Sequence, residues 1–276
     1  EQQELEWNRI LSRTVRKKRS SRKMLWMRYA ALFILPLLVG GIVYLSWDST
    51  REVKSEKTSS RIVPGASMAE LVLPDGTKVM LDREMNRALE EGVRNSGDTL
   101  NYTEVVSGGL QDSCEIYHTL RVPRGGEYTL VLADGTTVYL NAESELRFPK
   151  QFRGKKRKVY LTGEGYFDVQ RNEKQPFIVE AQQVAIRVLG TSFGVRAYTR
   201  EVNVLTTLVQ GRVNVEADGQ QVELNPGQQA DFNRENDRLT VAEVDVEQYV
   251  GWKDGRLVFD NKPLEFILEE LGRWYS

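Results

Sequence analysis

Histidine and cysteine are almost missing from this chain of 276 residues, which has one of each, His118 and Cys114. A lone cysteine cannot close an intrachain disulfide, so the fold must hold by packing, and a chain of this length can bury a core without bridges. With one histidine there is no HExxH pair and no Cys/His zinc set, which removes the usual parts of most enzyme classes. No metal and no cofactor is expected. Gly163-Glu164-Gly165 imitates the start of a dinucleotide fingerprint, but Asp168 and a strand-like pattern follow where a helix is needed. A turn or bulge fits that triplet better. His118 fits a partly buried hydrogen-bonding residue better than a ligand.

Net charge is also small, −1, yet it is unevenly spread. Residues 1–28 carry nine Lys or Arg against three Glu, residues 29–47 carry no charge, and residues 48–276 carry 29 basic against 36 acidic residues. The uncharged run YAALFILPLLVGGIVYLSW would extend roughly 28 Å as a helix, close to the hydrocarbon thickness of a bilayer. Trp26 and Tyr29 at one end and Tyr44 and Trp47 at the other suit its two interfaces. Arg16, Lys17, Lys18, Arg19, Arg22, Lys23 and Arg28 then place the N-terminus inside, and the basic cluster reads as a topology signal in preference to a nucleic-acid grip. Ser46-Trp47-Asp48 lacks the small-residue pattern of a signal-peptide cleavage site. The polar stretch 48–61 reads as a linker.

From there to about residue 245, short alternating runs between turn residues predict antiparallel β structure. Asp134-Gly135 and Asp218-Gly219 are expected to supply the positive φ angles of tight hairpin turns. LVLPDGTKVML at 71–81 and LVLADGTTVYL at 130–140 agree at eight of eleven positions, so one hairpin is expected twice. Between the copies, Asp82 to Tyr117 reads as loops with a weak strand or two. The basic run Lys150 to Lys158 reads as a solvated loop. After Val246 a strand is expected at Arg256 to Phe259, then a helix from Pro263 to Tyr275 with Leu264, Ile267, Leu268, Leu271 and Trp274 on one face.

Several longer segments resemble the FecR-type anti-sigma regulators in the form found in Bacteroides-like bacteria. They are VPRGGEYTLVLADGTTVYLNAESELRFP (122–149), VYLTGEGYFDV (159–169), PFIV (176–179), VLGTSFGV (188–195), TTLVQGRVNV (206–215) and LNPGQQA (224–230). His118 and Gly194 stand where that resemblance leads one to expect asparagine, and Gly165 where alanine is usual. The tail from Gly251 is similar to the start of the βαβ module shared with secretins and the signalling extension of TonB-dependent transporters. The resemblance implies a mainly β chain in five parts. These are a cytoplasmic basic segment at 1–28, the end of a trimmed sigma-binding domain; a transmembrane helix at 29–47; a linker at 48–61; an antiparallel, sandwich or solenoid-like periplasmic domain at 62–245; and the start of a truncated βαβ module at 246–276.

What the resemblance implies for function is a relay in the bacterial inner membrane. The periplasmic body would sense the signalling domain of an outer-membrane TonB-dependent transporter, while the cytoplasmic segment holds an extracytoplasmic-function sigma factor, without direct contact to nucleic acid. Some relatives cleave themselves at a Gly-Thr bond that matches Gly190-Thr191. The Thr191 hydroxyl would attack the Gly190 carbonyl, with Gly190 allowing backbone strain; the bland alternative is a bulge at Gly190 with Thr191 packed in a strand. A different class of function stays open, a membrane-anchored β module that binds polysaccharide or cell-wall material on a platform of Tyr128, Tyr139, Tyr160, Tyr166 and Trp252. A hydrolase would need a catalytic pair that the residues do not offer.

Overall fold

The computed structural model describes residues 66–105 and 115–275. The first half of this body contains β1 (Ala66–Val72), β2 (Lys78–Asp82), β3 (Asn86–Glu90), β4 (Val93–Ser96), β5 (Thr99–Asn101), β6 (Tyr117–Val122), β7 (Gly126–Val131), β8 (Thr137–Leu140) and β9 (Ser144–Pro149). The second half contains β10 (Arg157–Asp168), β11 (Phe177–Ala181), β12 (Val184–Val188), β13 (Ser192–Ala197), β14 (Asn203–Gln210), β15 (Val213–Ala217), β16 (Gln220–Leu224), β17 (Gln228–Asn233) and β18 (Arg238–Glu243). A tail follows with α1 (Glu247–Val250), a 3₁₀ turn at Gly251–Asp254 and α2 (Leu264–Trp274). The expected membrane span at 29–47 lies outside the described residues, and among those described no helix is long and apolar enough to cross a membrane.

The twelve-residue strand β10 organises the body. Its first half pairs with β9 and β11, and its second half with β8 and β13, so it belongs to two sheets in turn. Sheet I runs β2-β1-β6-β9-β10-β11-β12-β15-β16, and sheet II runs β3-β4-β5-β7-β8-β10-β13-β14-β17-β18. The passage occurs at Gly163, whose φ of +94° and close approach to Ser144 exclude a side chain; a Cβ there would lie 2.7 Å from the Ser144 Cα. A short parallel pairing of β1 with β7 at Ala66–Gly126 joins the sheets a second time. Six strands, β1, β6, β9, β10, β8 and β7, thereby form a closed barrel, and the remaining strands extend from it as two facing sheets.

Alternation along the strands fills the space between them. In β7, Tyr128 and Leu130 point inward while Glu127 and Thr129 do not, and β12 and β15 follow the same period. Leu71, Leu120, Leu146, Phe148, Phe167, Phe177, Phe193 and Phe232 meet in one continuous core. Each such side chain contributes about 1.5–3 kcal/mol by leaving water. Phe167 and Phe193 stack at 5.2 Å between centroids across the pair β10–β13.

The structure corrects several expectations. The body is not wholly antiparallel: β1–β7, β5–β7 and β10–β11 are parallel pairs. The repeated hairpin does form twice, as β1–β2 and β7–β8, with matching turn bonds from Gly76 N to Leu73 O and from Gly135 N to Leu132 O, both 2.9 Å. In neither turn does the Asp carry a positive φ; Gly76 and Gly135 alone do, both at +85°, as in a type I turn closed by a glycine bulge. Only Asp218-Gly219 has two positive φ values, 46° and 71°. The region Asp82 to Tyr117 holds three short strands, β3 to β5, more order than a loop-rich reading expects. Finally, Arg256 to Phe259 is not a strand. It pairs with no strand and lines a cleft with Glu164 and Arg196 of sheet II, Leu257 packing beside Tyr166, so the tail packs as a cover on the body.

Candidate functional site

The outer face of sheet II carries an unusual run of buried polar side chains. On β10 Glu164 and Tyr166 point away from the core, yet both are buried, because the tail covers them. Val250 of α1 and Trp252 of the following turn pack on Tyr166, with Tyr139, Val209, Tyr249 and Trp274 around them. Gly194 of β13 makes this approach possible, since a Cβ there would come within 2.9 Å of the Val250 side chain.

Beside that apolar contact lies a charge cluster. Arg196 of β13 donates to both carboxylate oxygens of Glu270 of α2, at 3.0 and 2.6 Å, and to both oxygens of Glu201 at 2.8 and 2.6 Å. Its Nη1 lies 3.5 Å from Glu164 Oε2, which also accepts a 2.7 Å bond from the Asn141 amide. Arg273 of α2 pairs with Glu201 at 2.9 Å and with Glu270. Burial pushes the Glu164 carboxyl up to about 7; Arg196 and Asn141 counter that, while Glu270 and Glu201 add to it. A cleft of about 400 Å³ runs between this cluster and the aromatic side chains Tyr249, Phe259 and Phe266 of the tail.

The bond Gly190-Thr191 sits elsewhere, where the chain crosses from β12 in sheet I to β13 in sheet II. Gly190 is not in the positive φ region. Its lack of a side chain has a steric reason, because a Cβ would lie 2.6 Å from the Arg171 Cα. Thr191 is buried; its Oγ1 donates to Arg212 O at 2.9 Å and its carbonyl accepts from Val169 N at 3.0 Å. A cleft of about 570 Å³ borders the bond, edged by Arg171, Arg187 and Arg212.

A family model described as FecR protein matches residues 118–214, from the start of β6 into β15. Two crystal structures of a proposed anti-sigma factor from Parabacteroides distasonis are similar to this chain at 32% identity. One superposes with a TM-score of 0.54 over 56% of this chain and 74% of its own, the other with 0.55 over 58% and 75%. The chain belongs to the FecR family. No curated protein matches it.

The FecR match takes in Gly190, Thr191, Glu164, Arg196 and Glu201, whereas Glu270 and Arg273 lie beyond it in the tail. Within this FecR body the aromatic platform does not exist as a surface. Tyr128 is in the core with its hydroxyl donating to Asn95 Oδ1 at 2.6 Å, and Tyr166 and Trp252 are buried against each other. Tyr160 lies on a different face, beside Arg147 and Tyr117. His118 is 1% exposed, and its Nδ1 shares a 2.6 Å hydrogen bond with the Tyr102 hydroxyl. The Gly163-Glu164-Gly165 triplet is the bend of β10, not a nucleotide loop. The basic run splits: Lys155 and Lys156 are exposed in a loop, but Arg157 is buried at the start of β10. The carboxylate–guanidinium cluster was missed from sequence, and the one available signal was Glu164 between two glycines at an outward-facing strand position.

Proposed function

We propose that this FecR-family chain is a transmembrane anti-sigma regulator. Residues 29–47 cross the inner membrane, residues 1–28 hold an extracytoplasmic-function sigma factor in the cytoplasm, and the β body with its tail receives a signal in the periplasm from a TonB-dependent transporter. The observation that supports this most is the likeness of the body, at 32% identity, to a proposed anti-sigma factor. The charge asymmetry on either side of residues 29–47 supports the orientation. Enzyme turnover is not part of this reading, which needs only binding and release.

Expression of the full-length protein with a neighbouring sigma factor tests it. Co-purification that is lost on removing residues 1–28 is the expected result. Recovery of no sigma factor with the intact chain, under conditions where both are folded, overturns the reading.

We infer further that the Gly190-Thr191 bond, which borders an open cleft, is a self-cleavage site; the Thr191 hydroxyl, which donates to Arg212 O, has to turn from that carbonyl to attack. In that step Thr191 Oγ attacks the Gly190 carbonyl carbon and the amide nitrogen leaves as the Thr191 amine, taking up the hydroxyl proton. Water then hydrolyses the ester, leaving a carboxylate on Gly190 and a free amino group on Thr191.

A further inference from the structure

The tail is fastened to the body at few points. Its apolar anchor is Val250, Trp252 and Trp274 against Tyr166 and Tyr139. Its polar anchor is the end of α2: the Arg196–Glu270 fork, the Arg273–Glu201 pair, Gly125 N donating to Arg273 O at 2.7 Å, and Arg124 donating to Gly272 O. Ahead of that end, α2 touches the body through Phe266, whose ring lies under the Arg196 guanidinium at 5.3 Å, and is otherwise open. Leu264 and Leu268 are 69% and 59% exposed, and Pro263 gives its first turn no side-chain cap. Eleven residues do not make a stable helix alone, so α2 depends on that charged end.

The charges at that end do not balance. Glu164 from β10, Glu201 from the loop after β13 and Glu270 from α2 face Arg196 from β13 and Arg273 from α2, three carboxyls against two guanidinium groups. The other groups facing Glu164 are neutral: the Asn141 amide, and Tyr198, whose hydroxyl donates to Ala142 O. At the rim, Glu143 and Arg124 have opposite signs and the partly exposed Arg234 donates to the Glu201 carbonyl, while Asp231, Glu269 and Lys262 line the cleft with Arg256, which is already paired with Glu247. If all five cluster groups are ionised, closing the tail encloses one uncompensated negative charge, which a low-dielectric site opposes. Opening removes Glu270 and Arg273 together and leaves the excess in water, where it costs little.

We propose that the tail is a proton-linked latch: α2 closes over sheet II through Arg196 and Arg273, and the closed state takes up a proton at Glu164 that the open state gives back. Glu164 and Glu270 are equally enclosed when the tail is shut, but Glu270 accepts two close bonds from Arg196 whereas Glu164 lies 3.5 Å from it, so Glu164 is the site of uptake. The direction of its titration agrees, since burial raises it to about 7 in the closed form. Closure is therefore fully favoured below the ordinary carboxylate range and weakens as pH rises through about 7. With an ordinary carboxyl in the open form, the closing constant falls about tenfold from pH 6 to pH 8. The latch belongs to the body and tail alone and holds whether or not a sigma factor binds residues 1–28.

Hydrogen exchange of the full-length protein tests the latch, with peptides of α2 followed at pH 6 and pH 8, corrected for intrinsic rates, against peptides of β11 and β12 as a reference for the fold. In the wild type, opening of α2 increases about tenfold at pH 8 while the reference is unchanged. In Glu164→Gln, α2 stays closed to the same degree at both pH values. Should that variant lose the reference protection, the carboxyl carbon resonance of Glu164 in the wild type is followed by NMR instead; a midpoint near 7 is expected, and an ordinary carboxylate midpoint overturns the proposal. Wild-type α2 opening that is equal at pH 6 and pH 8 overturns the proposal, as does a tenfold change that survives in a folded variant.

Discussion

Asp134 Oδ2 accepts a 2.6 Å hydrogen bond from Nη1 of Arg157, which opens β10. Asp134 also stabilises its own turn, receiving Thr136 N and Thr136 Oγ1 at 3.0 and 2.7 Å. Arg157 is 1% exposed; it further donates to the carbonyls of Gln175 and Gln170, both at 2.8 Å, and lies over the Phe177 ring. One guanidinium thus ties the second hairpin copy to the strand that both sheets share.

Arg157→Ala removes a fully buried guanidinium from the part-buried Asp134 carboxylate and from two carbonyls, and the expected loss is about 3–5 kcal/mol of stability. Urea unfolding of the variant against wild type measures it. The exposed pair Arg121–Glu145, of similar length at 2.7 Å, is the contrast, where a single truncation is expected to change stability by only about 0.2–1 kcal/mol. In the first hairpin copy Asp75 makes the same two bonds to Thr77 from an exposed turn. Asp134→Ala is accordingly expected to lower the urea midpoint more than Asp75→Ala, although the two turns look alike.

Gly163→Ala and Gly135→Ala separate two reasons for glycine. Both positions have positive φ, +94° and +85°, but only Gly163 faces a wall, the Ser144 backbone. Gly135→Ala should cost about 1–2 kcal/mol from backbone strain alone. Gly163→Ala adds an overpacking penalty of about 1–3 kcal/mol. Thermal unfolding of both variants shows whether the bend of β10 is the more demanding site.

His118 should give the fold a dependence on acid. Burial lowers its pKa from the ordinary value, with Glu90 opposing and Lys150 assisting. A group depressed in the folded state contributes stability that is present above its unfolded pKa and lost as pH falls through the folded one. Unfolding free energy should therefore decline as pH drops below about 6.5, and His118→Phe should remove that part of the decline. Comparing the slopes of the two proteins between pH 7 and pH 5 checks this, because the contribution of Glu164 is common to both.

The strands were readable where one face is wet and the other dry, as in β7, and the twin hairpins were readable from Asp-Gly-Thr alone. Glu164 and Tyr166 were not, since their cover arrives from α1, the 3₁₀ turn and α2, roughly eighty to a hundred residues later, and alternation carries no record of a roof. Arg157 was hidden by its neighbours: six basic residues in nine look like a surface, and nothing local tells which one turns inward to meet Asp134. Arg256 to Phe259 has strand composition, but it pairs with no strand and lines the cleft beside Glu164 and Arg196 instead. The Gly190-Thr191 position was visible only through family resemblance, and its physical setting, a glycine pressed against the Arg171 backbone, required the fold.

Thr191 offers the sharpest chemical prediction. If its hydroxyl attacks the Gly190 carbonyl, Thr191→Val abolishes cleavage because no nucleophile remains, whereas Thr191→Ser keeps part of it. A purely structural role predicts a different order. Thr191→Val would then matter only through the lost bond to Arg212 O, about 0.5–1.5 kcal/mol, and wild type would stay intact. Prolonged incubation of the purified protein, followed by denaturing gels and N-terminal sequencing of any fragment, separates the two. A fragment starting at Thr191 in wild type and weakly in Thr191→Ser is the expected result, and an intact wild-type chain leaves Thr191 with packing alone.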